Sequence, residues 1–212
     1  MSARGLFITF EGMDGSGKTT QMRHLAVWLR SLGRSVLATA EPGGTAIGSQ
    51  IRRILLDPAN HELSPTAELL LYYASRAQNV DQCILPALAR GNIVLCDRFT
   101  DSTLVYQGCG RSLGADTVLS LDGIACRGLR PDLTLLIDID VGTSLARARA
   151  RNIAQTSAET RMEEQAADFY HRVYDAYHAL AAREPDRIRL VDGRATVEET
   201  ARAIRDIVSP HV

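Results

Sequence analysis

A chain of 212 residues with 45% apolar and 23% charged residues has the composition of an ordinary globular protein, long enough to bury a core without a metal or a disulfide. Its formal net charge of −1 gives no support to sequence-independent nucleic-acid binding or to a membrane-surface role. No apolar run approaches the ~18 residues of a membrane span, and the N-terminal MSARGLFITF has no small-residue cleavage site, so a cytoplasmic chain of one domain, 1–212, is expected.

Residues 6–11, LFITFE, are rich in aromatic and β-branched side chains and read as a buried strand. Met22, Leu25, Ala26, Leu29 and Leu32 then recur at helical spacing from Lys18 onward, and Gly33 stops that helix. SVLATA (35–40) reads as a second strand, and EPGGT (41–45) as a loop, because Pro-Gly-Gly fits neither element. Helix is expected over 46–56 and over a long stretch from 65 to 89, strand over 92–97, and helix over 114–127. A strand over 133–139, helices over 142–151 and 163–183, a strand over 188–192 and a helix over 196–208 complete the chain.

Near-continuous apolar strands alternating with helices indicate an α/β fold, a parallel sheet covered on both faces and joined by right-handed crossovers. Ligands in such sheets sit beyond the carboxyl ends of the strands. That rule selects residues 12–19, 40–45, 97–111 and 140–162. The four cysteines, Cys83, Cys96, Cys109 and Cys126, have no metal-ligand or redox spacing and read as thiols of a reducing compartment.

Residues 12–19, GMDGSGKT, match G-x-x-x-x-G-K-[ST] between a predicted strand and a predicted helix. The glycines let the backbone curl, so that successive N–H groups of Gly12, Met13, Asp14, Gly15, Ser16 and Gly17 form a cradle for the phosphates of ATP or GTP. The helix starting at Lys18 adds its positive dipole end. The 24 basic residues are 23 arginines and this one lysine. The lone lysine marks a place where charge alone does not suffice: a compact ammonium on a flexible stem follows the moving phosphoryl group, and a planar guanidinium does not. Thr19 is expected to offer its hydroxyl to Mg²⁺.

A P-loop serves kinases, switches and motors alike. A guanine-specific switch would carry N-K-x-D, which a chain whose one lysine sits in the P-loop cannot contain, and D-x-x-G occurs only within the P-loop. A kinase needs a second anion site. Asp97-Arg98-Phe99 ends the strand NIVLC, where Arg98 can hold an acceptor phosphate bidentately and Asp97 can order Mg²⁺ through water. Arg52 and Arg53 lie on the helix after the EPGG loop, where one of them can reach the same anion. Tyr72 and Arg76 share a helix face, a ring and a guanidinium suited to a base, with Tyr73 as the alternative ring.

With EGMDGSGKTT, EPGGT, LLLYYASRAQ, DRFTDSTLVYQGCGR, LRPDLTLLIDI and RARAR, the chain resembles bacterial thymidylate kinases over nearly its whole length. The resemblance implies a P-loop NTPase fold with a five-stranded parallel sheet and a small mobile lid, transfer of the ATP γ-phosphoryl group to dTMP, and a homodimer. It assigns Arg76, with Ser102 and Thr103, to the thymine edge and Tyr72 to stacking. Arg52 and Arg98 would hold the monophosphate, Tyr106 would crowd the 2′ side of the sugar, Gln107 would sit near the base or sugar, and Asp14 would contact the sugar hydroxyl. The arginine that some relatives carry in the P-loop falls at Gly15 here, so the charge is expected from a basic lid, 147–162, whose polar NIAQTSAET (152–160) reads as mobile. Arg147 and Arg151 share a helical face. Arg147 is expected at the donor nucleotide and Arg149 and Arg161 at the transferring phosphoryl group, with the arginine that reaches it left open. The chain departs from the family pattern at Ala40, at Thr160-Arg161-Met162-Glu163 and at Cys109. A related kinase for another nucleoside monophosphate is the second reading.

Overall fold

The computed structural model describes residues 4–155, 160–162, 165 and 167–212, the side chains of 154, 155 and 167 apart. Five strands, β1 (Phe7–Glu11), β2 (Val36–Ala40), β3 (Ile93–Asp97), β4 (Leu133–Asp138) and β5 (Ile188–Asp192), form one parallel sheet in the order β2-β3-β1-β4-β5. The alternation of strand side chains assigns its faces. Ile8 and Phe10 of β1 join Leu95, Leu135 and Ile137 on one face, under Leu25 and Leu29 of α1 (Lys18–Ser31) and Ile204 and Val208 of α9 (Val197–Val208). Phe7, Val94 and Cys96 meet Val80, Ile84 and Leu88 on the other face. Leu136 and Ile188 are covered there by Phe169, Val173 and Tyr177 of α8 (Ala167–Arg183).

The helices otherwise fall close to the sequence reading. α2 spans Ala46–Leu56 and α6 Ala115–Ala125. The single helix expected over 65–89 is α3 (Pro65–Asn79) and α4 (Leu85–Ala89) joined by a π-helical turn, Val80–Ile84. Pro86 has no N–H to return to the preceding turn, and the wider turn absorbs the missing bond. The segment after β3, expected as a ligand-facing stretch without an assigned element, is α5 (Thr100–Thr103) continuing into a π-helical turn, Leu104–Gly110. α7 runs Val141–Gln155, one turn past its expected end at 151, so the start of NIAQTSAET is helical. Residues 156–159 of the expected lid, and Glu163, lie outside the described residues. No helix among the described residues is long and apolar enough to cross a membrane.

Strand β1 lies between β3 and β4, the point at which the crossovers change direction, and a crevice opens at that point beyond the strand ends.

Candidate active site

Residues 12–17 turn the chain from β1 into α1. Gly12, Gly15 and Gly17 take φ of 128°, 75° and 96°, a region that costs any other residue. Gly15 also lies against α7: a Cβ there would stand 2.6 Å from the Ser144 carbonyl oxygen and 2.9 Å from the Ala148 nitrogen. In this packing a side chain at residue 15 would meet the α7 backbone. Gly15→Ala is expected to cost about 2–4 kcal/mol through backbone strain and overpacking. In a thermal melt that appears as a Tm lower by roughly 5–15 °C, and an unchanged Tm would refute the contact.

α2, α3 and α9 each have a side-chain N-cap, from Thr45, Ser64 and Thr196. α1 follows left-handed Gly17 with no side-chain cap, so its first N–H groups remain for an anion. The Lys18 side chain, 6% exposed, folds back and donates to the Met13 carbonyl at 2.7 Å, inside the loop. Burial, and then the Arg98 guanidinium, bring its pKa down to about 8, so the ammonium persists at neutral pH. Thr19 Oγ1 donates to Asp97 Oδ2, which joins the P-loop helix to the end of β3.

Arg98 takes a left-handed φ of 69°, a strained turn that sends its side chain back over the strand ends. Its Nη2 donates to Asp14 Oδ1 at 2.8 Å and to the Tyr106 hydroxyl at 3.4 Å. Its Nη1 donates to Ser102 Oγ at 2.9 Å and to the Tyr177 hydroxyl at 3.3 Å. Burial alone would raise the Asp14 pKa, but Arg98 and then Lys18 override it and hold it at about 2. A carboxylate beside a phosphate cradle is thus neutralised by the neighbouring guanidinium. Glu11, the last residue of β1, is wholly buried beneath this cluster and accepts from Phe99 N, Ser102 Oγ and the Tyr177 hydroxyl. Burial and then Asp101 push its pKa up to about 7, against the pull of Arg98.

Deeper in the crevice, Arg76 is 1% exposed and pairs through Nε with Glu41 Oε2, while Asn79 Nδ2 donates to the other carboxylate oxygen at 3.2 Å. The Arg76 guanidinium carbon lies 5.1 Å from the ring centroids of both Tyr73 and Phe99. Its Nη1 is buried without a partner. Glu41 belongs to the EPGG loop, whose Gly43 N–H is held by Ser75 Oγ at 3.0 Å and whose Pro42 carbonyl accepts from Arg52 Nη1 at 3.1 Å.

The structure brings Asp14, Lys18, Thr19, Arg52, Tyr72, Arg76, Asp97, Arg98, Ser102, Thr103, Tyr106 and Gln107 around one cleft of about 410 Å³. Burial raises the Tyr72 hydroxyl to about pKa 12, so it remains a neutral donor. Gln107 is buried and donates to Glu68 Oε1 at 2.9 Å. Ser102 lines the cleft next to Arg98. Its hydroxyl is engaged by Arg98, Glu11 and Tyr177.

Three arginines of the expected lid have other surroundings in this structure. Arg161 is 4% exposed, donates from Nε to the Leu55 carbonyl and pairs through Nη2 with Glu68 Oε2 at 2.7 Å, which ties the chain to α2 and α3. Arg147 donates to the Gly193 carbonyl at 3.0 Å, beside the loop after β5. Arg149 is exposed on α7 and does not line the cleft. Arg151, one turn from Arg147, does line it, and its charge acts on Asp14. Arg23, one turn after Thr19, lines it too. Sequence reasoning passed over Arg23, Glu41, Glu11, Tyr177 and Glu68. A carboxylate ending an apolar strand was the available signal for Glu11; Tyr177 looks like one more packed ring.

A family model described as thymidylate kinase matches residues 10–204. The chain belongs to the thymidylate kinase family. Among curated relatives, the thymidylate kinase of Pelobacter propionicus is 55% identical over 201 residues, 94% of this chain and 92% of the relative. That of Geobacter sulfurreducens is 52% identical over 205 residues, 96% of each. The crystal structure of thymidylate kinase from Ehrlichia chaffeensis matches with a TM-score of 0.77 at 31% identity, covering 97% of this chain and 99% of that one. The thymidylate kinase fold is therefore present over nearly the full length, and the P-loop, the Asp97-Arg98 corner and the Arg76 pocket lie within the matched residues.

Proposed function

We propose that this chain transfers the γ-phosphoryl group of ATP to dTMP, giving dTDP and ADP, with the two anion-binding ends of the cleft dividing donor from acceptor. The observation that carries the acceptor assignment is the buried, unpartnered Nη1 of Arg76, held rigidly by Glu41. A guanidinium only donates, so it suits a base with a keto oxygen at that edge and rejects one that presents an amino group there. Thymine meets that requirement; cytosine and adenine do not. Tyr72 supplies the ring against the base face, Arg98 and Arg52 the acceptor phosphate contacts, Tyr106 the wall beside the sugar, and Asp14 a carboxylate for the sugar hydroxyl.

At the donor end, the loop amides, the uncapped start of α1 and Lys18 hold the phosphates. Thr19 and Asp97 present a hydroxyl and a carboxylate within hydrogen-bonding distance, a hard oxygen set that fits Mg²⁺. When bound there, Mg²⁺ neutralises phosphate charge. Transfer is otherwise positioning and charge stabilisation by this chain's own cations, Lys18, Arg98 and, from α7, Arg151. We read the chain as one domain with a lid over 147–162. The four cysteines are free thiols, in keeping with a cytoplasmic location.

A homodimer is part of the same reading. Leu70 of α3, and Ile47 and Ile54 of α2 and Leu119 and Ile124 of α6, the two helices that pack against α3, are exposed apolar side chains. Sedimentation showing only a 23 kDa species at micromolar concentration would count against it. The test of function is a coupled assay with dTMP, dUMP, dCMP, AMP and GMP as acceptors. Activity is expected to be greatest with dTMP and negligible with dCMP and AMP. Equal rates with AMP, or acceptor-free hydrolysis as fast as transfer, would overturn it.

A further inference from the structure

Arg98 has one immobilised edge and one exchangeable edge. Nη2 faces Asp14 and Tyr106 at the cleft surface, where an acceptor phosphate can take the place of either partner. Nη1 faces inward and meets the hydroxyls of Ser102 and Tyr177, and both hydroxyls reach the same oxygen, Oε2, of Glu11. The four atoms close a ring: Nη1, the two hydroxyl oxygens and Oε2.

Proton accounting gives that ring a direction. Nη1 carries two hydrogens and can donate one to each hydroxyl. Each hydroxyl has one proton, and an ionised carboxylate only accepts. The arrangement that satisfies all four atoms has Ser102 and Tyr177 both donating to Glu11, which turns their lone pairs toward Arg98. The 2.9 Å approach of the two hydroxyls to each other then follows from their shared partners. The second Glu11 oxygen accepts from the Phe99 backbone N–H at 2.7 Å, which fixes the carboxylate itself. Tyr177 is 3% exposed and arrives from α8, 166 residues along the chain from Glu11.

We propose that Glu11 and Tyr177 are positioning residues for the reaction: through the Ser102 and Tyr177 hydroxyls, the Glu11 carboxylate sets the orientation of Arg98, so that its outer edge meets the acceptor phosphate. The inference rests on the assignment of Arg98 to that phosphate. Glu11 touches neither substrate in this arrangement. Its influence passes through two hydroxyls, so it should be lost when the guanidinium is absent. Phenylalanine at 177 retains the ring that packs edge-on to Tyr106 at 6.3 Å between centroids, and removes only the hydroxyl.

The experiment is a double-mutant cycle on dTMP affinity, measured by titration calorimetry at pH 8, where Glu11 is mainly ionised, with kcat and the KM for ATP in parallel. Tyr177→Phe is expected to weaken dTMP about tenfold, the scale of one hydrogen bond to a charged group, with the KM for ATP unchanged. Glu11→Gln, whose amide must set its NH2 against either the two hydroxyls or the Phe99 N–H, is expected to weaken it at least as much. In an Arg98→Ala background, Tyr177→Phe should change dTMP affinity by less than twofold. A merely structural tyrosine would lower Tm and leave the dTMP-to-ATP split unmoved. Full additivity with Arg98→Ala, or no effect of Tyr177→Phe in the parent chain while Arg98→Ala is severely impaired, would overturn the proposal alone. An Arg98→Ala chain with normal dTMP affinity would instead remove the phosphate assignment beneath it.

Discussion

Lys18→Ala is expected to lower kcat by on the order of 10²–10³, with dTMP affinity changed by less than about twofold. Its ammonium is the chain's one lysine, buried at the start of α1 with Nζ on the Met13 carbonyl, so it already lies inside the loop that the donor phosphates would occupy. Substrate binding would replace that carbonyl contact with phosphate oxygens. The gain is larger as charge moves between the two nucleotides, which is the condition for raising kcat. Lys18→Arg should fail almost as badly, because the loop encloses the side chain and a planar fork is wider than an ammonium. Steady-state kinetics with both substrates varied, plus dTMP titration, checks this. Turnover near the parent value would contradict the role.

Arg76→Ala is expected to weaken dTMP by on the order of a hundredfold and to leave the KM for ATP unchanged. The substitution removes the donor that the proposed reading gives to the keto oxygen, and a site built to hydrogen-bond one group discriminates strongly when the bond is lost. It also strands Glu41, which is buried and pairs with Arg76 and Asn79. Burial alone already raises the Glu41 pKa, so without the guanidinium the residue takes up a proton more readily. Breaking one partner of a buried pair costs about 3–5 kcal/mol, a fall in Tm of roughly 6–20 °C for a chain of this size. Affinity must therefore be measured well below the new Tm. Arg76→Lys separates the two effects: a cation remains for Glu41, so stability should largely return, while dTMP affinity should not, since the fork is gone. Unchanged dTMP affinity in both variants would refute the base-site assignment.

Local patterns are legible in this chain because their physics is local. The cradle needs glycines at set spacing, an uncapped helix start and a lysine within eight residues, and all are consecutive. The apolar strands announce a covered parallel sheet, since only such a sheet buries both faces. The corner Asp97-Arg98 is likewise readable as a charged pair at the end of an apolar strand. Arg161 and Arg151 show the opposite case. Both are arginines in a basic, polar stretch, and nothing near Arg161 in the chain foretells that it is buried against Glu68, 93 residues away. Arg151 stands at the end of the helix expected from the sequence, and α7 continues past it through Asn152, Ile153, Ala154 and Gln155, a continuation that the low helix propensity of Asn152 weighs against only until packing decides.

The chemistry of the donor end and the class of the fold thus follow from short runs of residue types, because backbone curvature, helix polarity and apolar periodicity act within a few residues. The partners of each buried charge do not follow. Glu41 with Arg76, Glu11 with Ser102 and Tyr177, and Glu68 with Arg111 and Arg161 join segments from 35 to 166 residues apart. Such pairs exist only once the sheet order β2-β3-β1-β4-β5 has brought their elements together, since removing a charge from water is tolerable only where a complementary group already waits.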